Sequence, residues 1–285
     1  MTTSHVHRAL TRALDGQETA RVQLDVQTTH RFIIFSDQHK GARDGADEFR
    51  ICEPAYRAAL QYYLEDGWTL VLLGDAEELW EQSFAEVERA YRSTLELEGS
   101  FPADRYYRVW GNHDDSWMVP ALVRRHLVPY MPADRVHEGI RMDVCSGKAS
   151  LGTLLMVHGH QGRFGSDRIR PVARVAVRFW RPIQRLFGVG VTTPATDACY
   201  RAEHDREMYE WAARRPRTIL LAGHTHRPVW SSTTHLQKLK ADLAETRATS
   251  PADPGRLVEL EAAIRARRAL FGHNAAFQQN RSWLH

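Results

Sequence analysis

Five times in this chain a short apolar run stops at a cluster of histidine, aspartate or asparagine. The run FIIF, within His30 to Phe35, leads into SDQHKG; TLVLL (Thr69 to Leu73) leads into GDAEELW. Tyr106 to Trp110 leads into GNHDD, residues 153–157 into HGHQ, and Thr218 to Leu221 into AGHTHRP. Apolar, partly β-branched runs of this length read as buried strands. Between them lie helical patterns. Phe49 to Glu65 carries Ala55, Ala58, Ala59, Tyr62 and Tyr63 at helical spacing and stops at Asp66-Gly67. Ser83 to Glu98 is a charged helix, and 117–127 has the pattern of a short one. Residues 140–145 are a further strand. Strands that alternate with helices and end in polar residues predict an α/β fold with its ligand site beyond the carboxyl ends of the strands.

Composition narrows the class. Apolar residues make up 43% and charged residues 26%, ordinary globular usage, which excludes a disordered, collagenous or coiled-coil chain. Lys+Arg 38 against Asp+Glu 35 leaves +3, too balanced for a protein that coats nucleic acid. Cys52, Cys145 and Cys199 are far apart and form no CxxC pair, so a disulfide framework is not expected and a reducing compartment is. The N-terminal residues have no apolar signal region, and no run of about eighteen apolar residues occurs. The expected location is the cytoplasm, free or peripheral to the inner face of the membrane.

The strand-end groups are Asp37 and His39; Asp75; Asn112, His113 and Asp114; His158 and His160; and His224 and His226. Carboxylate, imidazole and amide oxygen suit a borderline divalent metal: manganese first, with iron or zinc as alternatives. No thiolate is among them, so a structural Cys-type zinc site is excluded. A single histidine at a strand end is an ordinary hydrogen-bonded residue. Five such groups, each directly after an apolar strand, are not explained that way, and the number of ligands suits two ions. Ser36 and Thr225 sit in no nucleophile-elbow pattern and read as loop residues.

The ordered motifs SDQHKG, GDAEELW, GNHDD, VHGHQ and AGHTHRP resemble those of the calcineurin-like metallophosphoesterase family across residues 36–228. The resemblance implies a four-layer sandwich of two mixed β-sheets flanked by helices. It implies one metal held by Asp37, His39, Asp75 and His226, and a second by Asp75, Asn112, His158 and His224, with Asp75 bridging. His113 would approach the scissile phosphate without binding metal, and Asp114 would orient it. The residue types suit that chemistry. Two cations clamp a phosphoryl group, a water between them loses its proton near neutral pH to become the nucleophile, and an imidazole protonates the leaving oxygen.

In layout the chain is similar to the branch that hydrolyses the pyrophosphate of UDP-2,3-diacylglucosamine and carries a helical cap after the fourth motif. It departs from that branch at His113, where arginine is common there, and at His158–His160, where that branch has HGD. A phosphoester or pyrophosphate on a nucleotide-sugar lipid or a phospholipid-like molecule is the expected substrate. A soluble nucleotide phosphodiesterase, phosphatase or nuclease is the alternative, with nucleic acid disfavoured by the charge. A metal-free scaffold is a third reading; such proteins usually lose ligands, and none is lost here.

One domain over 1–285 is expected, with an Arg-rich helical cap insertion at about 163–215 and a helical hairpin at about 234–271 turning at SPADPG. In the cap Arg170, Arg174, Arg178, Arg181 and Arg185 recur every three or four residues, one stripe of a helix that Pro182 interrupts. Arg174, Arg178 and Arg181 are candidate phosphate-binding residues. An ordinary amphipathic helix with solvated arginines is the alternative. Family members return to the sheet after GHTH, whereas few strand-like residues remain here before His285, so short or rearranged C-terminal strands are expected.

Overall fold

A computed structural model describes residues 4–162, 198–225, 235–248 and 253–271. In chain order the main elements are α1 (His5–Asp15), β1 (Thr19–Asp25), β2 (Phe32–Phe35), α2 (Phe49–Glu65), β3 (Thr69–Leu73), α3 (Phe84–Glu98) and β4 (Tyr106–Val109). They continue with α4 (Pro120–Leu122), β5 (Gly139–Ser146), β6 (Ala149–Val157), α5 (Ala198–Ala213), β7 (Thr218–Ala222), α6 (His235–Ala248) and α7 (Pro254–Phe271).

The described strands form two sheets, ordered β1-β5-β6-β7 and β2-β3-β4. The first is mixed: β5 and β6 are antiparallel, while β1 pairs with β5 and β6 with β7 in parallel. The three described strands of the second are all parallel. Helices carry the chain back between them, and such connections join parallel strands.

Period-2 alternation sorts the side chains of β3 into two cores. Val71 and Leu73 meet Val109, Ile140, Met142 and Met156 in a core made by both sheets. Leu70 and Leu72 turn the other way and pack with Tyr56 and Leu60 of α2 and Val87, Tyr91 and Leu95 of α3. On the far face of the mixed sheet, Leu155 and Val157 of β6 meet Val6, Leu10 and Ala13 of α1 and Met208 and Trp211 of α5. The result is helices, sheet, sheet, helices, the expected four layers.

Two elements escape a search for apolar runs. In α1, Val6, Ala9, Leu10 and Ala13 are buried at helical spacing, but His, Arg and Thr separate them. Its N-terminus is capped by Ser4, whose hydroxyl accepts from the His7 amide at 3.2 Å. In β1, arginine, glutamine and aspartate alternate with the inward residues. The short helix expected over 117–127 is instead a chain of turns. A 3₁₀ turn at Asp115–Met118, α4, a π turn at Val123–Leu127 and a 3₁₀ turn at Val128–Tyr130 follow one another. Pro120 and Pro129 stand where the hydrogen-bond pattern changes.

Helices α6 and α7 belong to a second compact unit. Leu239, Leu260 and Ile264 form its small core, with Arg247 paired to Glu261 at 2.6 Å. The α7 start follows the expected turn chemistry: the Asp253 side chain accepts from the Arg256 amide at 3.1 Å, and Pro254 takes the first helical position. Arg174, Arg178, Arg181 and the rest of 163–197 lie outside the described residues, as does His226. Of the expected cap, 198–213 is helical. Among the described residues no helix is long and apolar enough to cross a membrane.

Candidate metal centre

The loops after β2 and β3 run together past the ends of their strands. The Asp37, His39 and Lys40 amides donate to the Gly74, Asp75 and Ala76 carbonyls at 3.1, 2.9 and 3.0 Å. This path places Asp37 (φ 60°), His39 (φ 50°), Asp75 (φ 52°) and, after β7, His224 (φ 71°) in the left-handed region. Non-glycine residues reach it at a cost and concentrate at functional sites. Two glycines make room for the cluster. A Cβ on Gly74 would lie 2.7 Å from the His158 ring, and one on Gly111 would run into the Asp75 carboxylate.

Around Asp75 the strand-end groups converge. Its Oδ2 lies 3.0 Å from His158 Nε2 and 3.7 Å from His39 Nε2. Asp37 Oδ1 lies 3.9 Å from His158 Nε2, and the Asp37 carboxylate accepts from the His224 amide at 3.1 and 3.2 Å. The His158 and His224 rings stand 5.2 Å apart. Ligand atoms lie within 4.8 Å of one another in two triads, His39–Asp75–His113 and Asp75–His158–His224, and Asp75 belongs to both.

The donors fit a divalent cation. His158 Nδ1 donates to the Leu73 carbonyl at 2.9 Å, which leaves Nε2 as the nitrogen that faces Asp75. Asn112 Oδ1 is buried and accepts no hydrogen bond among the described residues. Burial opposes charge on His158, yet Asp75 and Asp37 hold its proton and raise its pKa to about 9. Asp75 is lowered well below the carboxylate range, against its burial, by His158, His113 and His39. A cation bound here would take the place of those protons as the partner of the carboxylates.

One expected contact, that of Asp114, is replaced in the three-dimensional arrangement. Asp114, expected to orient His113, does not touch its ring. Its carboxylate accepts from the Gly111, Ala76 and Asp75 amides at 2.6, 2.9 and 3.3 Å, tying the β3 and β4 loops together. The reason is local: adjacent residues in a turn send their side chains apart, and Asp114 points inward and is fully buried. Burial and the Asp75 and Glu77 carboxylates push it up to about 7.

Glu78 and Trp80 contact His113 instead. Glu78 Oε2 lies 2.7 Å from His113 Nδ1, and Trp80 stacks on the ring at 4.5 Å and 22°. Both belong to the motif GDAEELW, three and five residues after Asp75; that spacing was the available signal. His113 rises to about 9, burial opposing and Glu78 and Asp75 favouring the charged ring.

His160 is buried against Trp110, with ring centres 4.9 Å apart. His204 on α5 hydrogen-bonds the Gly159 carbonyl at 2.5 Å and so props the turn between His158 and His160. No sequence signal marks His204, since it lies in a helix far from the motifs. The calcineurin-like phosphoesterase family model matches residues 30–228 of the chain. No curated protein matches it.

Proposed function

Because the chain belongs to the calcineurin-like phosphoesterase family, whose members are metal-dependent phosphoric ester hydrolases, we propose that it hydrolyses a phosphoester or pyrophosphate bond with two divalent ions shared through Asp75. The carrying observation is the place of Asp75 in both groups of candidate ligand atoms, beside His39 in one and beside His158 and His224 in the other; His113, which completes the first group, is read as facing the phosphate. Asp37, His39, Asp75 and His226 would hold one ion, and Asp75, Asn112, His158 and His224 the other. The ions, manganese first among the candidates, supply charge to clamp the phosphoryl oxygens and lower the pKa of an attacking water.

The chain's own groups do the rest. Asp75 Oδ1 accepts from the His113 amide at 2.7 Å, so the residue that joins the ligand sets also fixes the backbone of the phosphate-facing histidine. Asp114 holds the Gly111 and Asp75 loops in register. Charged His113 donates a proton to the leaving oxygen, or, for a leaving group that needs none, stabilises its charge.

His113→Ala is therefore expected to lose about 10²–10⁴-fold in kcat on an alkyl phosphodiester while keeping its metals. A nitrophenyl ester should lose much less. Equal losses on both substrates would remove the proton-donor role.

For the substrate we favour a phosphorylated small molecule bearing a lipid or nucleotide-sugar group, acted on in the cytoplasm or at the inner membrane face. The support is the arginine stripe that follows His160 in sequence. His113 and the HGH motif, where the UDP-2,3-diacylglucosamine branch has other residues, support a different molecule from that one. Replacing Arg174, Arg178 and Arg181 together by Gln should raise KM severalfold for a phospholipid-like or nucleotide substrate and weaken binding to anionic vesicles. Unchanged KM for both substrates, with no vesicle binding by the parent, would reduce the stripe to a solvated surface.

A further inference from the structure

We propose that Glu78 is a positioning residue whose single oxygen, Oε2, clamps the Nδ1 edges of both His39 and His113, joining a metal-ligating imidazole and the phosphate-facing imidazole into one rigid unit. This rests on the ligand role given to His39 above and extends it to a residue outside the ligand sets. Glu78 Oε2 accepts from His39 Nδ1 at 3.1 Å and lies 2.7 Å from His113 Nδ1. The two rings meet edge to face, 4.6 Å apart and 85° between planes, in contact with each other as well as with the shared oxygen. Trp80 closes the opposite face of His113.

The backbone holds Glu78 in place from both sides. Its amide donates to the Lys40 carbonyl at 3.0 Å, next to His39, and the Leu79 amide donates to the His113 carbonyl at 3.1 Å. Its neighbour Glu77 is fully buried and paired with Lys40 and Arg108, which anchors the turn from below. The Glu78 carboxylate, 13% exposed, faces the site.

The chemistry follows from the acceptor-only nature of a carboxylate. His39 Nδ1, which hydrogen-bonds it, carries a proton, so the His39 Nε2 lies on the far edge of its ring; His113 Nδ1 meets the same oxygen at ion-pair distance. For His39 this leaves a lone pair 3.7 Å from Asp75 Oδ2, where a metal ligand is needed. Partners of this kind fix the tautomer and orientation of ligating histidines, and their loss typically costs about 10–100-fold in metal affinity or activity. Glutamine fills the same space, yet its amide accepts from one imidazole and turns N–H groups toward the other.

The test uses the full chain with ring ¹⁵N-labelled histidine, stripped of metal. At pH 8 the His39 resonances, assigned by substitution, should show the Nδ1–H tautomer in the parent and a shift toward Nε2–H in Glu78→Gln. Calorimetric titration with Mn²⁺ should show one site weakened about 10–100-fold in the variant and the other within a few-fold. Activity should fall in kcat with KM held.

A parent His39 already in the Nε2–H form, or a folded variant with unchanged ring shifts and both Mn²⁺ affinities intact, would overturn the clamp. The parent spectrum decides the question even if Glu78→Gln does not fold. A parent that binds no Mn²⁺ would sink the metal reading alone, because the tautomer measurement needs no metal.

Discussion

Replacing Asp75 by asparagine is expected to leave a folded protein with depleted metal and hydrolysis reduced by at least about 10²–10³-fold, the scale of losing a single electrostatic stabiliser in an active site. The expectation comes from its position. The side chain is 1% exposed, lies two residues past β3, whose last four residues are buried, and contributes to both triads of candidate ligand atoms. An amide keeps the shape, and its oxygen can still accept from the His113 amide. It removes the charge that faces both ligand sets. Metal counting by atomic emission alongside a turnover assay separates the outcomes. Two metals per chain and full activity would refute the shared role of Asp75.

The second large effect is on stability. Lys40, Glu77, Glu98 and Arg108 form a buried ionic network under the β3 loop, each at most 2% exposed. Lys40 Nζ lies 2.6 Å from Glu98 and 3.4 Å from Glu77, and Arg108 is paired with Glu77. Trp117 Nε1 and the Tyr56 hydroxyl donate to Glu77 and Glu98 at 2.9 and 2.8 Å. Two cations thus meet two carboxylates. Glu77→Gln leaves the cations with one, and an uncompensated buried charge costs about 3–5 kcal/mol. For a domain of this size that is a fall of roughly 10 °C in Tm.

The same residue predicts a pH dependence. Burial raises the Glu77 pKa, but Arg108 and Lys40 outweigh it and hold the group at about 2. A carboxylate lowered in the folded state stabilises it fully above the ordinary carboxylate range. That contribution is lost as pH falls toward about 2, because the unfolded chain takes up its proton first. Denaturant unfolding of the metal-free protein between pH 5 and 3 should therefore slope less steeply in Glu77→Gln than in the parent. Equal stability of the two proteins at pH 7 would contradict the network's role.

How far the sequence carried the reading depended on what kind of contact made each feature. The strands β2, β3 and β4 were legible because their residues are packed into cores and appear as apolar runs. Helix α2 has the expected bounds, but the face it buries is Phe49, Glu53, Tyr56 and Leu60 rather than the Ala55, Ala58, Ala59, Tyr62 and Tyr63 whose spacing predicts it; α3, expected as a charged helix, buries Phe84, Val87, Tyr91 and Leu95. Strand β1 was not, because its outward positions are charged and its inward ones only moderately apolar.

Asp37, His39, Asp75, Asn112, His158 and His224 were picked out because each closely follows a strand, and parallel topology brings such ends to one edge. Asp114 neighbours His113 in sequence, but its carboxylate hydrogen-bonds the backbone of the β3 and β4 loops, a partner that sequence adjacency does not reveal. Glu78 reaches His39 across 39 positions of chain, a contact that no local pattern encodes. His204 reaches the Gly159 carbonyl across 45.

The central claim is that the strand-end cluster is a two-metal hydrolytic centre. The most direct measurement is a Mn²⁺ titration of chelator-stripped protein, with bound metal and hydrolysis of bis(p-nitrophenyl) phosphate followed in the same samples. The account predicts no turnover without metal, two Mn²⁺ bound per chain at saturation, and activity that appears as the second site fills. Turnover by the stripped protein at the rate of the loaded one, or saturation with no hydrolysis of this or any other phosphoester, would contradict it.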